Sequence, residues 1–166
     1  MKYFILLSLV MACFTFLVPV SAQESSLSTD TVTSSLGWPL DYDFSSLPKR
    51  ARQIYRFWEV KNKQKAFHEV RSWMKDEKTS PYPWLVGATL HFQEKRYKKC
   101  LKYCKKALKK KTQIGEVYFW RGRAYEALKK PMEAANEYRA ALYAKQEFQP
   151  AQERLDRVLA QLEGGL

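Results

Sequence analysis

The chain has 166 residues, which is enough for one domain with a modest hydrophobic core. Its formal net charge is +12 and it contains only three cysteines. One of them, Cys13, lies in an N-terminal apolar segment, and Cys100 and Cys104 lie one helical turn apart, which is poor geometry for a bridge. The cysteine content therefore excludes a scaffold held together by disulfides.

The first segment, residues 1–22, has the order of a secretory signal peptide. Met1 and Lys2 form a short basic start, residues 3–20 are apolar, and residues 20–22 end at Ala22 in a cleavage-type sequence. We therefore expect an exported protein, periplasmic or extracellular. A retained membrane anchor and a lipoprotein anchored at Cys13 are the alternatives. No later segment is long and apolar enough to span a bilayer.

Residues 23–46 are predicted to form a flexible arm that is acidic and partly aromatic. The arm begins with a Ser/Thr-rich stretch, and residues 38–44 then place three aromatic rings among carboxylates. Residues 23–48 carry a formal charge of −4, whereas residues 49–166 carry 28 basic and 13 acidic side chains, or +15. This asymmetry predicts an anionic partner for the body, or contact between arm and body. A passive spacer is the alternative.

From residue 47 onward, similar residues recur every 34 positions. The columns are Ile54, Ala88 and Gly122; Phe57, His91 and Tyr125; Ala66, Cys100 and Ala134; Val70, Cys104 and Tyr138; and Met74, Leu108 and Leu142. A fixed period of this length is typical of stacked helical repeats. One unit cannot bury its own apolar face, so the units stack and leave a curved surface exposed.

Proline and glycine positions indicate where the helices of this repeat domain, residues 47–166, begin and end. Pro81, Pro131 and Pro150 are expected to open helices. The pattern predicts units at residues 47–80, 81–114 and 115–148, followed by a capping helix at 149–163. The predicted fold is all-α, a stack of about three antiparallel helix pairs plus the C-terminal cap.

Residues 84–107 and 118–141 resemble the tetratricopeptide repeat (TPR). That family has an aromatic, a small residue and a second aromatic, followed by Ala, an aromatic and Ala. The second segment matches with Tyr118, Gly122, Tyr125, Ala134, Tyr138 and Ala141. The first segment departs at His91, Cys100 and Cys104, and the earliest unit is degenerate, with Trp73 at an alanine position. The resemblance implies a right-handed solenoid whose first helices line a concave groove.

Carried over position by position, the resemblance implies a partner-binding groove. Its residues are Tyr55, Trp58, Leu85, Thr89, Phe92, Phe119, Arg123 and Glu126. Exposed rings beside occasional charges suit a peptide or a helix. The alternative is that some of these rings form core between units. A clamp for a C-terminal carboxylate is not expected, because apolar residues such as Ala51 and Leu85 occupy the relevant positions.

Residues 94–111 form a second candidate surface, with ten basic residues and one acid. One reading is a merely solvated face, and the other is an anion-binding face. The anion would be an acidic protein, phospholipid headgroups or a polyanionic glycan, whereas nucleic acid fits poorly with export. The predicted anion-binding residues are Lys98, Lys99, Lys102, Lys105, Lys106 and Lys109.

Signals for chemistry are few. The sequence has no HExxH motif, no nucleophile elbow and no phosphate-binding glycine loop. His91, Cys100 and Cys104 could coordinate zinc, but these positions pack internally in the family, so we expect core packing and neither metal nor cofactor. The predicted function is a non-enzymatic adaptor or scaffold of the cell envelope that binds a partner peptide or helix. The alternative is a polyanion- or membrane-surface-binding protein acting through the Lys-rich helix 98–111.

Overall fold

The computed structural model describes residues 46–164. The predicted signal peptide, Cys13 and nearly all of the predicted arm lie outside the described residues. The described chain is helical throughout its regular structure. The helices are α1 (Lys49–Glu59), α2 (Lys63–Asp76), α3 (Tyr82–Gln93), α4 (Tyr97–Leu108), α5 (Gly115–Ala127), α6 (Pro131–Ala144) and α7 (Gln149–Glu163). None of these helices has the length and apolar character that crossing a membrane requires.

The helices pack as consecutive antiparallel pairs. α1 pairs with α2, α3 with α4 and α5 with α6, and α7 packs against α6. The first helices of neighbouring pairs, α1, α3 and α5, also contact one another, and they lie closer together than the second helices do. The prediction of an all-α stack of three helix pairs with a C-terminal cap is therefore confirmed.

The 34-residue columns form the core of the stack. Ala66, Cys100 and Ala134 are fully buried, which allows the helices of each pair to approach closely. Gly122 shows why a small residue is needed, because a Cβ at this position would lie only 2.5 Å from Cε1 of Tyr138. The Tyr138 ring itself is fully buried. Glycine on α5 and tyrosine on α6 are therefore complementary.

The first helix of every pair ends in the same backbone motif. Lys61, Lys95 and Lys129, spaced 34 residues apart, have φ values of 59°, 56° and 57°. In the middle pair, the Lys95 N–H donates to the Phe92 carbonyl at 2.8 Å and the Arg96 N–H donates to the His91 carbonyl at 2.9 Å. This is the Schellman arrangement, which satisfies the last carbonyls of a helix. Sequence analysis missed it because the left-handed residue is lysine and not the usual glycine.

Candidate functional site

Most of the predicted groove residues are buried. Exposed fractions are 0% for Tyr55, Leu85 and Thr89, 2% for Phe119 and 8% for Trp58. The expectation that these side chains form an open, ring-lined surface is therefore wrong for these five. Their involvement in partner binding stays a prediction.

The reason for this burial lies in contacts between helices. The Tyr55 hydroxyl on α1 is 3.3 Å from Oγ1 of Thr89 on α3, which in turn donates to the Leu85 carbonyl at 3.1 Å. Trp58 meets the ring of Phe67 on α2 edge to face, with centroids 6.0 Å apart. These side chains fill the space between neighbouring first helices and within the pairs. The alternative reading of the rings as core is the correct one for them.

The remaining three groove residues are half-buried and form one polar cluster. The Arg123 guanidinium lies over the rings of Phe92 and Trp120, at 4.7 and 4.9 Å from their centroids. Burial, and then the neighbouring Arg154, lower the pKa of Arg123 to about 10, so the side chain is still charged at neutral pH. Glu126 accepts hydrogen bonds from the Tyr138 hydroxyl and, at 3.4 Å, from Arg154. A cation held over ring faces suits recognition of a carboxylate or carbonyl.

A large cleft lies on the other side of the stack, between α2 and α4. Its volume is about 1030 Å³. The rings of Phe67, His91 and Tyr103 form its floor. We call this cleft the basic cleft, because cations dominate its rim. The cations are Lys65, Arg71, Arg96, Lys99, Lys102 and Lys106, and Glu69 is the single carboxylate among the lining residues.

His91 is the buried titratable group of this cleft. It is 7% exposed, and its ring packs between Phe67, tilted at 5.0 Å, and Tyr103, edge to face at 4.7 Å between centroids. Within residues 46–164 its Nδ1 has no hydrogen-bond partner. Burial, and then Lys99 and Arg96, lower the pKa of His91 to about 4, against a smaller opposing effect of Glu94. The imidazole is therefore neutral at pH 7.

The six predicted anion-binding lysines are all exposed, but the structure divides them into two groups. Lys99, Lys102 and Lys106 line the basic cleft, and Lys98, Lys105 and Lys109 do not. The structure adds Lys65 and Arg71 from α2, which sequence analysis did not select. One signal could have found Lys65, since it precedes Lys99 by 34 residues. Anion binding by the six lysines stays a prediction.

Cys100 and Cys104 are free thiols in the core. Both are fully buried, and Sγ of Cys100 lies 3.9 Å from the Trp120 carbonyl oxygen. Burial, and then the hydrogen bond with Cys100, raise the pKa of the Cys104 thiol. Over the described part of the chain, no group of three His, Cys, Asp or Glu side chains is placed to hold a metal ion. Both thiols pack as small apolar side chains do.

Helical hairpins at a 34-residue interval, stacked through small buried residues, define a helical-repeat solenoid. The sequence alone matches no protein-family model and no curated protein. Solved structures are similar in fold. The first TPR domain of Spaghetti (RPAP3), bound to the HSP90 peptide SRMEEVD, is 19% identical, with a TM-score of 0.63 over 69% of this chain and 90% of that one.

Other solved structures give the same result. The TPR domain of Arabidopsis OM64 is 20% identical, with a TM-score of 0.62 over 68% of this chain and 93% of that domain. The second TPR domain of human RPAP3, in complex with the HSP70 peptide SGPTIEEVD, is 16% identical and has a TM-score of 0.59 over 66% and 91% of the two chains. This chain therefore has the tetratricopeptide repeat fold, as the resemblance of residues 84–107 and 118–141 implied.

Proposed function

We propose that this protein is a non-enzymatic adaptor that binds a peptide or helix of a partner protein. The observation that carries this proposal is the fold, which is shared with two TPR domains whose structures contain HSP90 and HSP70 peptides. A stack of helix pairs offers an extended surface on the side of its first helices. Such surfaces recognise chain segments by contacts spread over several units.

The part of that surface best suited to recognition is the cluster around Arg123. Its guanidinium is oriented by Phe92 and Trp120, and Glu126 beside it is oriented by Tyr138 and Arg154. Charged side chains that are already held in fixed positions lose little conformational entropy when a partner binds. We therefore place the centre of the groove at Phe92, Arg123 and Glu126, and we expect a partner segment with a carboxylate or an exposed main-chain carbonyl there.

Partner capture with matched variants tests this assignment. The bait is the chain from residue 23 onward, and Arg123→Met removes the charge but retains aliphatic bulk against the rings. The control pair Lys105→Gln/Lys109→Gln changes exposed charges elsewhere. For a purified partner identified in this way, we expect Arg123→Met to weaken binding at least about tenfold, or about 1.4 kcal/mol. The proposal is contradicted if binding is unchanged in Arg123→Met and is also lost at 1 M salt, where the screening length is only ~3 Å.

The setting we propose for this adaptor is outside the cytoplasm, in the cell envelope or beyond it. The order of basic start, apolar run and small residues in residues 1–22 supports it. Mass spectrometry of the protein purified from its native source is the test. A mature chain that starts at Gln23 supports export, and a lipid on Cys13 would mean an anchored form. An intact N-terminus in the cytosolic fraction contradicts the proposal.

A second candidate function is binding to a polyanion or to an anionic membrane surface through the Lys-rich helix α4. Lys98, Lys102 and Lys105 are examples of its exposed lysines. None of the six predicted lysines has a carboxylate within 4.0 Å in the described part of the chain. Binding of this kind is distinguished by its salt dependence, because it weakens as the ionic strength rises.

A further inference from the structure

We propose that the basic cleft between α2 and α4 is a binding site for a compact ligand that carries several phosphate or sulfate groups. This site is separate from the partner groove around Arg123. It also differs from a uniformly charged lysine face, because only three of the five α4 lysines belong to it and α2 supplies the opposite wall.

Most of the positive charges in the basic cleft have no carboxylate of the protein beside them. Six cations and one carboxylate line it, which gives a formal charge of +5 with the histidines neutral. The carboxylate, Glu69, is 3.9 Å from Arg50, and Arg96 is 4.0 Å from Glu94. The other five cations have no carboxylate within 4.0 Å among residues 46–164. They are Lys65, Arg71, Lys99, Lys102 and Lys106. Like charges at close range repel, so an anion that bridges them lowers the free energy of the site.

The geometry favours a ligand with more than one anionic group. Lys99, Lys102 and Lys106 follow the spacing of one helix face, so they stand one above the other on the α4 wall. Lys65 and Arg71 project from α2 on the other side of the same cleft. A single oxyanion can contact only some of these cations at once. The cleft volume of about 1030 Å³ is at the upper end of small-molecule sites, so a ligand with several anionic groups fits inside it.

The floor of the cleft provides a second, independent indication of a ligand. Phe67 and Tyr103 are half-buried rings that give the cleft an apolar base beside its exposed cations. His91 lies between these rings, 93% buried, and its Nδ1 lacks a partner in the described residues. Buried polar atoms are normally satisfied, so an unsatisfied one at the base of a charged cleft points to an occupant.

An occupant would also change the protonation of His91. The charged groups around this imidazole are Lys99 and Arg96, which lower its pKa, and Glu94, which raises it, while Phe67 from α2 and Tyr103 from α4 contribute rings only. A polyanion that pairs with Lys99 and Arg96 removes much of their effect. The pKa of His91 should therefore rise from about 4 when the site is filled.

Calorimetric titration with inorganic tripolyphosphate tests the site at low ionic strength, with orthophosphate as the single-anion comparison. We expect tripolyphosphate to bind at least about tenfold more tightly than orthophosphate, and Lys99→Gln/Lys102→Gln to weaken it by at least about tenfold. The control Lys105→Gln/Lys109→Gln removes the same charge from α4 and from the residue that follows it, both outside the cleft, and it should change the affinity less than about threefold. Equal losses in both pairs, or no binding to the unaltered chain, would overturn the proposal.

Two further measurements complete the test. An NMR pH titration should show a higher His91 pKa with tripolyphosphate bound, and an unchanged value would contradict binding on the floor of the cleft. Vesicles of phosphatidylcholine, with and without phosphatidylinositol phosphates, distinguish the source of the ligand. Binding that requires the lipid phosphates and is lost with Lys99→Gln/Lys102→Gln assigns a headgroup. Soluble tripolyphosphate binding without vesicle binding assigns a free phosphate compound. Arg123→Met should change neither tripolyphosphate binding nor vesicle binding. This variant therefore separates the present proposal from the adaptor function.

Discussion

His91 is both a packing residue of the core and a buried titratable group. In the same column the neighbouring units have Phe57 and Tyr125, so the stack needs a ring there. The imidazole meets that need by packing between Phe67 and Tyr103. It also brings a titratable nitrogen into a buried position close to Lys99 and Arg96. The folded protein therefore holds His91 in its neutral form far below the usual pH of imidazole titration.

This predicts that acid destabilises the protein through His91. The pKa is 6.5 in the unfolded chain and about 4 in the folded one, so the unfolded state binds the proton first and stability falls as the pH drops from 6.5 toward 4. The loss is about 3 kcal/mol at most, and about 1–2 kcal/mol allowing for solvent in the adjoining cleft. Urea unfolding at several pH values should show a shallower pH dependence for His91→Phe. An equal slope in both proteins would disprove the role of His91.

The left-handed lysines that end the first helices predict a stabilising substitution. Lys95 has φ 56°. A residue with a Cβ pays about 1–2 kcal/mol of conformational free energy in this left-handed region, whereas glycine adopts it without that cost. Lys95→Gly should therefore raise the free energy of unfolding by about 1 kcal/mol, measured by urea denaturation. Lys102→Gly, in the middle of α4, is the matched control and should lower it by about 1 kcal/mol. A loss of stability in both variants would show that the Lys95 side chain matters more than its backbone.

At the scale of helices, the crossing of α5 and α6 depends on one complementary pair. A Cβ at Gly122 would fall 2.5 Å from the Tyr138 ring, and that ring is held by its hydroxyl at Glu126. The 34-residue columns include both residues. They could not show that the two residues contact each other, because that depends on how the two helix axes cross.

Gly122→Ala is therefore expected to destabilise the protein by about 1–3 kcal/mol, as overpacking a filled core does. Thermal or urea unfolding of a double-mutant cycle with Tyr138→Leu tests the cause. In the Tyr138→Leu background, where the ring is absent, Gly122→Ala should cost distinctly less, giving a coupling energy of about 0.5 kcal/mol or more. Additive effects would mean that the two side chains do not share this space.

The amphipathic pattern of α4 predicts which of its residues are buried, but it does not predict which of its lysines share a cleft. Its buried face, with Cys100, Cys104 and Ala107, follows directly from the spacing of the apolar residues. Its lysines occupy the rest of the circumference and look equivalent in sequence. Lys102 belongs to the basic cleft and Lys105 does not, because α2 lies along one side of α4 only. The position of a neighbouring helix makes that distinction.

At the scale of the molecule, the stack is held by contacts between neighbours, and α7 closes one end. Ala151, Leu155 and Val158 of α7 are buried, and Phe148, which precedes α7, packs on Phe119 of α5 with centroids 5.3 Å apart. In such a linear architecture each unit depends on the adjacent one. The cap is therefore part of the core of the third unit.

Ending the chain at Phe148 should lower the free energy of unfolding by about 4 kcal/mol or more, since each fully buried apolar side chain contributes about 1.5–3 kcal/mol. Urea unfolding followed by circular dichroism measures this. Arg157→Ala, on the exposed side of the intact α7, is the control and should change stability by no more than about 0.5 kcal/mol. An unchanged unfolding midpoint in the truncated chain would show that α7 is not part of the cooperative core.

The sequence by itself determined the helix pairs, their 34-residue interval and the small residues of the core. Those features follow from spacing within one helix and from the same contacts repeated in each unit. Only the tertiary structure decided that Tyr55, Leu85 and Phe119 are buried and that Lys65 and Lys99 face one cleft. Exposure and shared cavities depend on the distances and angles between neighbouring helices, and those are set by the packing of the whole stack.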